Sequence, residues 1–374
     1  MLFYKKNHSL YGLCKIFILL FFLVFSSACN KENDTPPSSN VIYKAGIYIA
    51  NEGPFQNGSG TVTYWDKESG TVSQRIFESA NNGEQVGNIL QSLYFAFPAT
   101  VSDEVRQKVF LVVNNANKVV IANKDTFKKQ GEITGLALPR FLQVISSEKA
   151  VVTQWGNDGV SGSLAVINLK TNQVEKTIPT GSGAEGMLYL GSDQLLVANS
   201  GGWGRDSTLA YVNLATGTVT GKVVVGDNPV AIRPGKSGEL WVICRGHTED
   251  YTNPDNPLNT KGRLIKIENN AVSMSLELKG SGTQLSMDLD NNQLFYLDGG
   301  QIYRFVLSQN QLEDQPFVNG YFYSIYFDPE SANLLASDPK DFASDGEVVV
   351  FNRQGDIRRI IPSGIVPGHI WVRP

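Results

Sequence analysis

Outside its first 28 residues the 374-residue chain carries two histidines, His247 and His369, and no Gly-x-Ser-x-Gly elbow to raise a serine nucleophile. His247 falls in an acidic loop and reads as solvated. His369 opens the last apolar segment, where a structural hydrogen bond is expected of it. Asp338, Asp341 and Asp345 offer oxygens to calcium, as do Glu249, Asp250 and Asp255, but neither group follows the calcium-loop spacing. No cysteine–histidine set has zinc spacing. These residue types predict no catalytic residue, no metal and no cofactor. They offer a binding surface instead. Phe55, Trp155, Trp203, Tyr251 and Phe342 fall in long polar loops, and Arg245 opens the longest of these, 245–262. Arg140, Glu185, Asn228, Gln284, Tyr321 and His369 fall in shorter connections. Aromatic rings among amides and a few charges suit a polar ligand with large flat or apolar surfaces. The expected ligand-binding set is Phe55, Arg140, Trp155, Trp203, Arg245, Tyr251, Tyr321, Phe342 and His369.

The elements that must position these residues are set by a repeat. A short phrase, an apolar strand end followed by a polar turn and a new apolar start, recurs at Trp65–Val72, Ile121–Phe127, Ile167–Val174, Val212–Val219, Ile267–Val272, Phe305–Leu312 and Phe351–Ile357. That is the pattern of a hairpin, and a strand-only period of roughly 40 to 50 residues predicts a β-propeller. Four strands can be read in each unit, as in Phe141–Ile145, Ala150–Gln154, Leu164–Leu169 and Val174–Ile178. No window has a long 3.6-residue apolar period. A second phrase, glycine and then usually proline, precedes new inner strands at Gly135–Pro139, Gly226–Pro229 and Gly364–Pro367, and Gly181–Ala184 keeps only the glycine. Glycine is expected there to supply positive φ. The first unit has three strands, Ile47–Ala50, Thr61–Trp65 and Val72–Phe77, and one orphan strand, His369–Arg373, remains at the end. The prediction is an all-β, seven-bladed propeller over residues 43–374, closed when the C-terminal strand completes the first blade. In such a meander the loops between second and third strands share one face with the connections into each inner strand. Most of the expected binding residues belong to these two groups.

Lys5, Lys6 and Lys15 precede the apolar run Ile16–Phe25, which ends in Ser26, Ser27, Ala28 and Cys29. Ten apolar residues are too few to span a bilayer, so residues 1–28 read as a secretory signal. Small residues directly before a cysteine resemble the lipobox of bacterial lipoproteins, which implies that Cys29 is lipidated. Residues 29–42 then form the anchor and a polar tether. Asn30 follows the cysteine in place of an aspartate that would retain the protein at the inner membrane, and Lys31, Glu32 and Asp34 resemble a surface-export signal. The expected location is the outer membrane, on the cell surface, held by lipid alone. Removing the signal takes three lysines and no acids, leaving 29 basic against 36 acidic residues, a charge of −7. With no basic cluster, nucleic acid is excluded as a partner. Cys244, in the apolar strand Leu240–Cys244, reads as a packed thiol.

The chain resembles the YncE-like, DUF5074-type seven-bladed propeller surface lipoproteins, a group that includes BtuG-type cobalamin-binding proteins. The resemblance rests on Asn51–Gly53, Val86–Ser92, Asn114–Val119, Pro139–Arg140, Val152–Trp155, Gly201–Trp203, Leu240–Gly246, Asp338–Asp341 with Gly346, and Pro367–His369. It implies a non-enzymatic protein that captures cobalamin or a related corrinoid for a TonB-dependent outer-membrane receptor. An adhesion or scaffold module binding glycan or protein through the same face is the alternative, and a lactonase or quinoprotein enzyme ranks below both.

Overall fold

The computed structural model describes residues 41–96 and 101–374, so the expected signal segment, Cys29 and residues 30–40 of the tether lie outside the described residues. Seven antiparallel sheets follow one another. Blade 1 combines β27 (Pro367–Arg373) with β1 (Gly46–Asn51), β2 (Thr61–Trp65) and β3 (Val72–Ser73). Blade 2 is β4 (Leu90–Phe95), β5 (Lys108–Val113), β6 (Lys118–Asn123) and β7 (Lys129–Ile133). Blade 3 is β8 (Pro139–Val144), β9 (Lys149–Gln154), β10 (Ser161–Asn168) and β11 (Gln173–Ser182). Blade 4 is β12 (Ala184–Gly191), β13 (Gln194–Asn199), β14 (Thr208–Asn213) and β15 (Thr218–Val224). Blade 5 is β16 (Pro229–Pro234), β17 (Leu240–Cys244), β18 (Arg263–Glu268) and β19 (Ala271–Glu277). Blade 6 has only β20 (Gly282–Asp288), β21 (Gln293–Asp298) and β22 (Gln301–Val306), and blade 7 is β23 (Ser324–Asp328), β24 (Asn333–Asp338), β25 (Asp345–Phe351) and β26 (Ile357–Ile365).

The predicted closure is present. β27 pairs with β1 in antiparallel register, Val372 opposite Ile47 and Ile370 opposite Ile49. Arg373 locks it, donating to the carbonyls of Tyr43 at 2.9 Å and Lys124 at 3.0 Å and pairing with Asp125 of blade 2. The inner strands neighbour one another in a complete circle, from β4 through β23 to β27 and back to β4. Second strands such as Leu240–Cys244 are buried on both faces because each blade packs between two others. Outer strands such as Thr218–Val224 alternate exposed and half-buried, as one-sided strands must.

The recurrent phrase is the lower hairpin turn, held by its Asx residue. Asp66, Asn123, Asn168, Asn213 and Asn352 each accept, through Oδ1, backbone N–H bonds from residues two to four positions on. Three expectations need correction. The sixth copy, Phe305–Leu312, is no hairpin: among the described residues blade 6 has three strands, and only Phe317 and Val318 return to bond Ile302. The strand expected over Val72–Phe77 stops at Ser73. Arg75 takes left-handed geometry (φ 52°), and Ile76 and Phe77 turn inward, fully buried, on a one-turn helix, Ile76–Ala80. Finally, positive φ before these inner strands falls on the residue directly preceding them, Leu138, Asn228, Val366 and Gly183, and of the phrase glycines Gly135 has it as well (φ 76°). Gly226 and Gly364 do not supply it. Gly364 is required by close approach, since a Cβ there would stand 2.7 Å from Thr61 Oγ1.

Glu78, on the short helix, is buried with no hydrogen-bond partner for either carboxylate oxygen among the described residues. Burial holds its carboxyl above the ordinary range. The folded protein therefore binds this proton more tightly than the unfolded chain. Stability from this group is full at low pH and falls as pH rises from the unfolded value, about 4.3, through the raised folded value. Glu78→Gln should match the wild type near pH 4 and exceed its urea midpoint at pH 8. A variant weaker than wild type at pH 8 would refute this account.

Candidate ligand-binding face

A buried polar residue closes many of the second strands and ties the upper loops to the connections beside them. Asn51 Nδ2 donates to the hydroxyls of Thr61 and Thr63, each at 3.0 Å. Asn114 Nδ2 reaches the carbonyl of Pro139 at 3.0 Å, and Gln154 Oε1 accepts from Ala137 N at 3.0 Å. Asn199 Nδ2 donates to Thr208 Oγ1 at 2.9 Å, and Asp298 accepts from the backbone of Lys279 and Gly280, both at 2.8 Å. Buried side-chain hydrogen bonds of this kind fix where the loops begin.

Inside that frame a girdle of charges and amides surrounds the channel mouth. Arg140, opening β8, forks onto Glu185 of β12 with Nε to Oε2 at 3.0 Å and Nη2 to Oε1 at 2.9 Å. Its Nη1 donates to Gln91 of β4. Trp155 Nε1 donates to Glu185 Oε2 at 2.7 Å, and the Arg140 guanidinium lies 4.2 Å from the centroid of the indole ring. Across the mouth, Tyr323 donates its hydroxyl to Glu52 Oε1 at 3.0 Å. Burial pushes Glu52 above the ordinary carboxylate range, against the opposing pull of Arg140 and of Tyr323. Sequence reasoning did not include Glu52, Gln91 or Tyr323 in the site. Arg140 and Trp155 therefore spend their donors on the protein, while the Arg245 guanidinium has no hydrogen bond or ion pair to any described residue.

The outer tier is aromatic. Phe55 is 75% exposed, Trp203 70%, Tyr251 87%, Tyr321 55% and Phe342 43%, and these are the exposed large aromatics among the described residues. All five belong to the upper loops or to the segment entering β23. Trp203 is propped: its N–H donates to the Gly159 carbonyl at 3.0 Å, and its ring lies so close that a Cβ on Gly159 would meet it at 2.1 Å. Gly183 and Gly202 interlock below, a Cβ on Gly183 falling 1.9 Å from Gly202 N. Phe342 stands edge-on to Tyr321 and Tyr323 at 6.1 and 5.7 Å. Asn259 pins the long loop carrying Tyr251, its Oδ1 accepting from Glu249 and Asp250 N–H groups and its Nδ2 reaching the Asn253 carbonyl.

His369 and Gln284 lie within inner strands, so they belong to the channel wall below the platform. His369 Nδ1 faces the N–H of Leu93 at 3.5 Å, and its pKa is pushed down to about 4, first by burial and then by Arg233. His247 pairs with Glu249 at 2.9 Å. The loop aspartates weighed as calcium ligands serve their own turns: Asp341 accepts from Ala343 and Ser344, Asp338 from Lys340, and Asp250 from Thr252. Cys244 is buried and burial raises its thiol pKa, as expected of a packed side chain.

Truncating one partner of the buried Arg140–Glu185 pair leaves a charge without compensation. Glu185→Ala should cost about 3–5 kcal/mol in urea unfolding, whereas Glu185→Gln, which keeps an acceptor for Trp155, should cost clearly less. Equal losses would mean the charge is unimportant.

No curated protein matches this chain significantly. Solved structures share its fold. A quinoprotein alcohol dehydrogenase-like protein from Bacteroides thetaiotaomicron has a TM-score of 0.63 at 14% identity, over 89% of this chain and 79% of that one. The periplasmic gluconolactonase of Pseudomonas aeruginosa has a TM-score of 0.60 at 13% identity, over 87% and 99%. The hydrazine synthase of Kuenenia stuttgartiensis has 0.54 at 13%, over 74% and 92%. At such identities the likeness concerns fold alone. One family model, described as a domain of unknown function, DUF5074, matches residues 45–349. The seven-bladed chain, completed by its own last strand, belongs to the DUF5074 family.

Proposed function

We propose that this protein is a non-enzymatic, lipid-anchored propeller of the outer cell surface that captures cobalamin or a related corrinoid on its upper face for a TonB-dependent receptor. The observation that carries the reading is the collection of the five exposed aromatic side chains on the upper-face segments, with Trp203 held open by Gly159 beneath it. Rings fixed in this way offer flat apolar area at little entropic cost. Corrinoids present apolar ring edges and peripheral amides, and the face supplies indole, phenol and phenyl surfaces beside Arg245 and the Gln91–Arg140–Glu185 girdle. Cys29 would supply the anchor.

Titrating the purified protein with cyanocobalamin, followed by calorimetry and by quenching of tryptophan emission, tests this directly. Saturable binding is expected, and Trp203→Ala should weaken it at least about tenfold, a loss appropriate to a stacked aromatic anchor, with little change in the melting transition. An absence of heat and quenching at high micromolar ligand would refute corrinoid capture. Binding of an oligosaccharide panel in its place, still sensitive to Trp203→Ala, would reassign the face to glycan.

A further inference from the structure

Below the girdle the channel holds a cation that the chain does not neutralise. Arg233 lies on β16, opposite Trp241, and the equivalent level of the other inner strands is occupied by Tyr94, Gln143, Tyr326 and Trp371. Neighbouring Ile232 enters the apolar core between blades 4 and 5, so the alternating strand turns Arg233 to the lumen. Gln143 and Tyr94 meet at this level, Nε2 to hydroxyl at 2.9 Å. The guanidinium is exposed to the lumen and makes one hydrogen bond, to the carbonyl of its own neighbour Ile232 at 2.9 Å, and no ion pair with any described residue. Tyr326 of blade 7 stands at the same inner-strand level, and His369 of blade 1 stands two positions before Trp371 on β27, nearer the mouth.

The acids of the inner strands are already engaged. Glu185 is held by Arg140, Asp288 by Arg353 at 3.2 Å, and Asp328 by Lys67 at 3.4 Å. Two further donors accompany Arg233. His369 presents Nδ1 to the Leu93 N–H, which places the proton of the neutral ring on Nε2. The Tyr326 hydroxyl bonds no described residue. A planar, permanently charged fork in a channel whose wall also carries an imidazole N–H and a phenol is matched by a planar or tetrahedral oxyanion. We infer that the lower channel is a binding site for an oxyanion, the carboxylate or phosphate group of a small ligand, with Arg233 as its anchor and His369 and Tyr326 as flanking donors. This site is separate from the aromatic face and does not depend on what that face binds.

The test uses the purified protein with sodium phosphate in one arm and sodium succinate in the other, against sodium chloride at equal ionic strength. Phosphate, succinate or both should raise the melting temperature above the chloride control, and the arm that does so identifies the oxyanion. By calorimetry, Arg233→Gln should lose at least about tenfold in affinity for that anion, while Trp203→Ala, on the upper face, should retain it. With no protein partner to lose, Arg233→Gln should fold and melt no lower than wild type in chloride. Should it fail to fold, Arg233→Lys, which keeps the charge without the fork, should still show weakened binding. The inference is overturned if neither anion exceeds chloride, if both Arg233 variants bind as wild type does, or if Trp203→Ala abolishes the effect.

Discussion

No blade of this protein owns a hydrophobic core. Among the described residues the buried apolar side chains form seven clusters, and each is shared between neighbouring blades: Ile47 and Ile49 of blade 1 with Leu335 and Val348 of blade 7, Val151 and Leu164 of blade 3 with Leu195 and Val197 of blade 4. A single four-stranded sheet buries too little apolar area to order itself, so the apolar layers exist only when the circle is complete. The pairing of β27 with β1 is therefore the contact on which the other layers depend. It also places His369 and Trp371 where latch and channel wall are the same strand.

That dependence explains which parts of the fold were legible in the sequence. Hairpin turns repeat because an Asx side chain must accept the same backbone N–H groups in blade after blade, so Asn168 and Asn213 stand at equivalent places in nearly identical phrases. The orphan strand was legible for the same reason: ring closure requires a partner for the exposed edge of β1. Blade 6 was not, because Phe305–Leu312 has the composition of a turn while the segment after it returns to Ile302 without forming a ladder. Left-handed residues were legible only in part, as at Gly135. Glycine is the usual choice for positive φ, yet Leu138 and Val366 adopt it beside prolines that start inner strands, a strain that the packed ring sustains.

The face divides along similar lines. Exposed aromatics were legible because a loop has no structural need for indole or phenyl groups, and Phe55, Trp203, Tyr251 and Phe342 do stand in solvent. The girdle was not legible as a unit. Tyr323 and Glu52 are 271 positions apart, and only closure brings blades 7 and 1 together. Arg140 and Trp155 were read as ligand contacts from their types, but Glu185 takes a donor from each. Their contribution lies in holding the mouth rigid beneath the aromatic loops. Preorganisation of that kind raises affinity without any added contact.

Charge compensation separates the two arginines of the inner wall. Moving a guanidinium out of bulk water is unfavourable unless a counter-charge and further acceptors meet it. Arg140 has both, in Glu185 and Gln91, and structure alone accounts for its presence. Arg233 stands at the exposed end of β16, with the adjacent carbonyl as its one protein acceptor and the water of the channel around it. Solvated in this way, the Arg233 guanidinium contributes little to the fold, and that leaves its fork free for a charge from outside the chain.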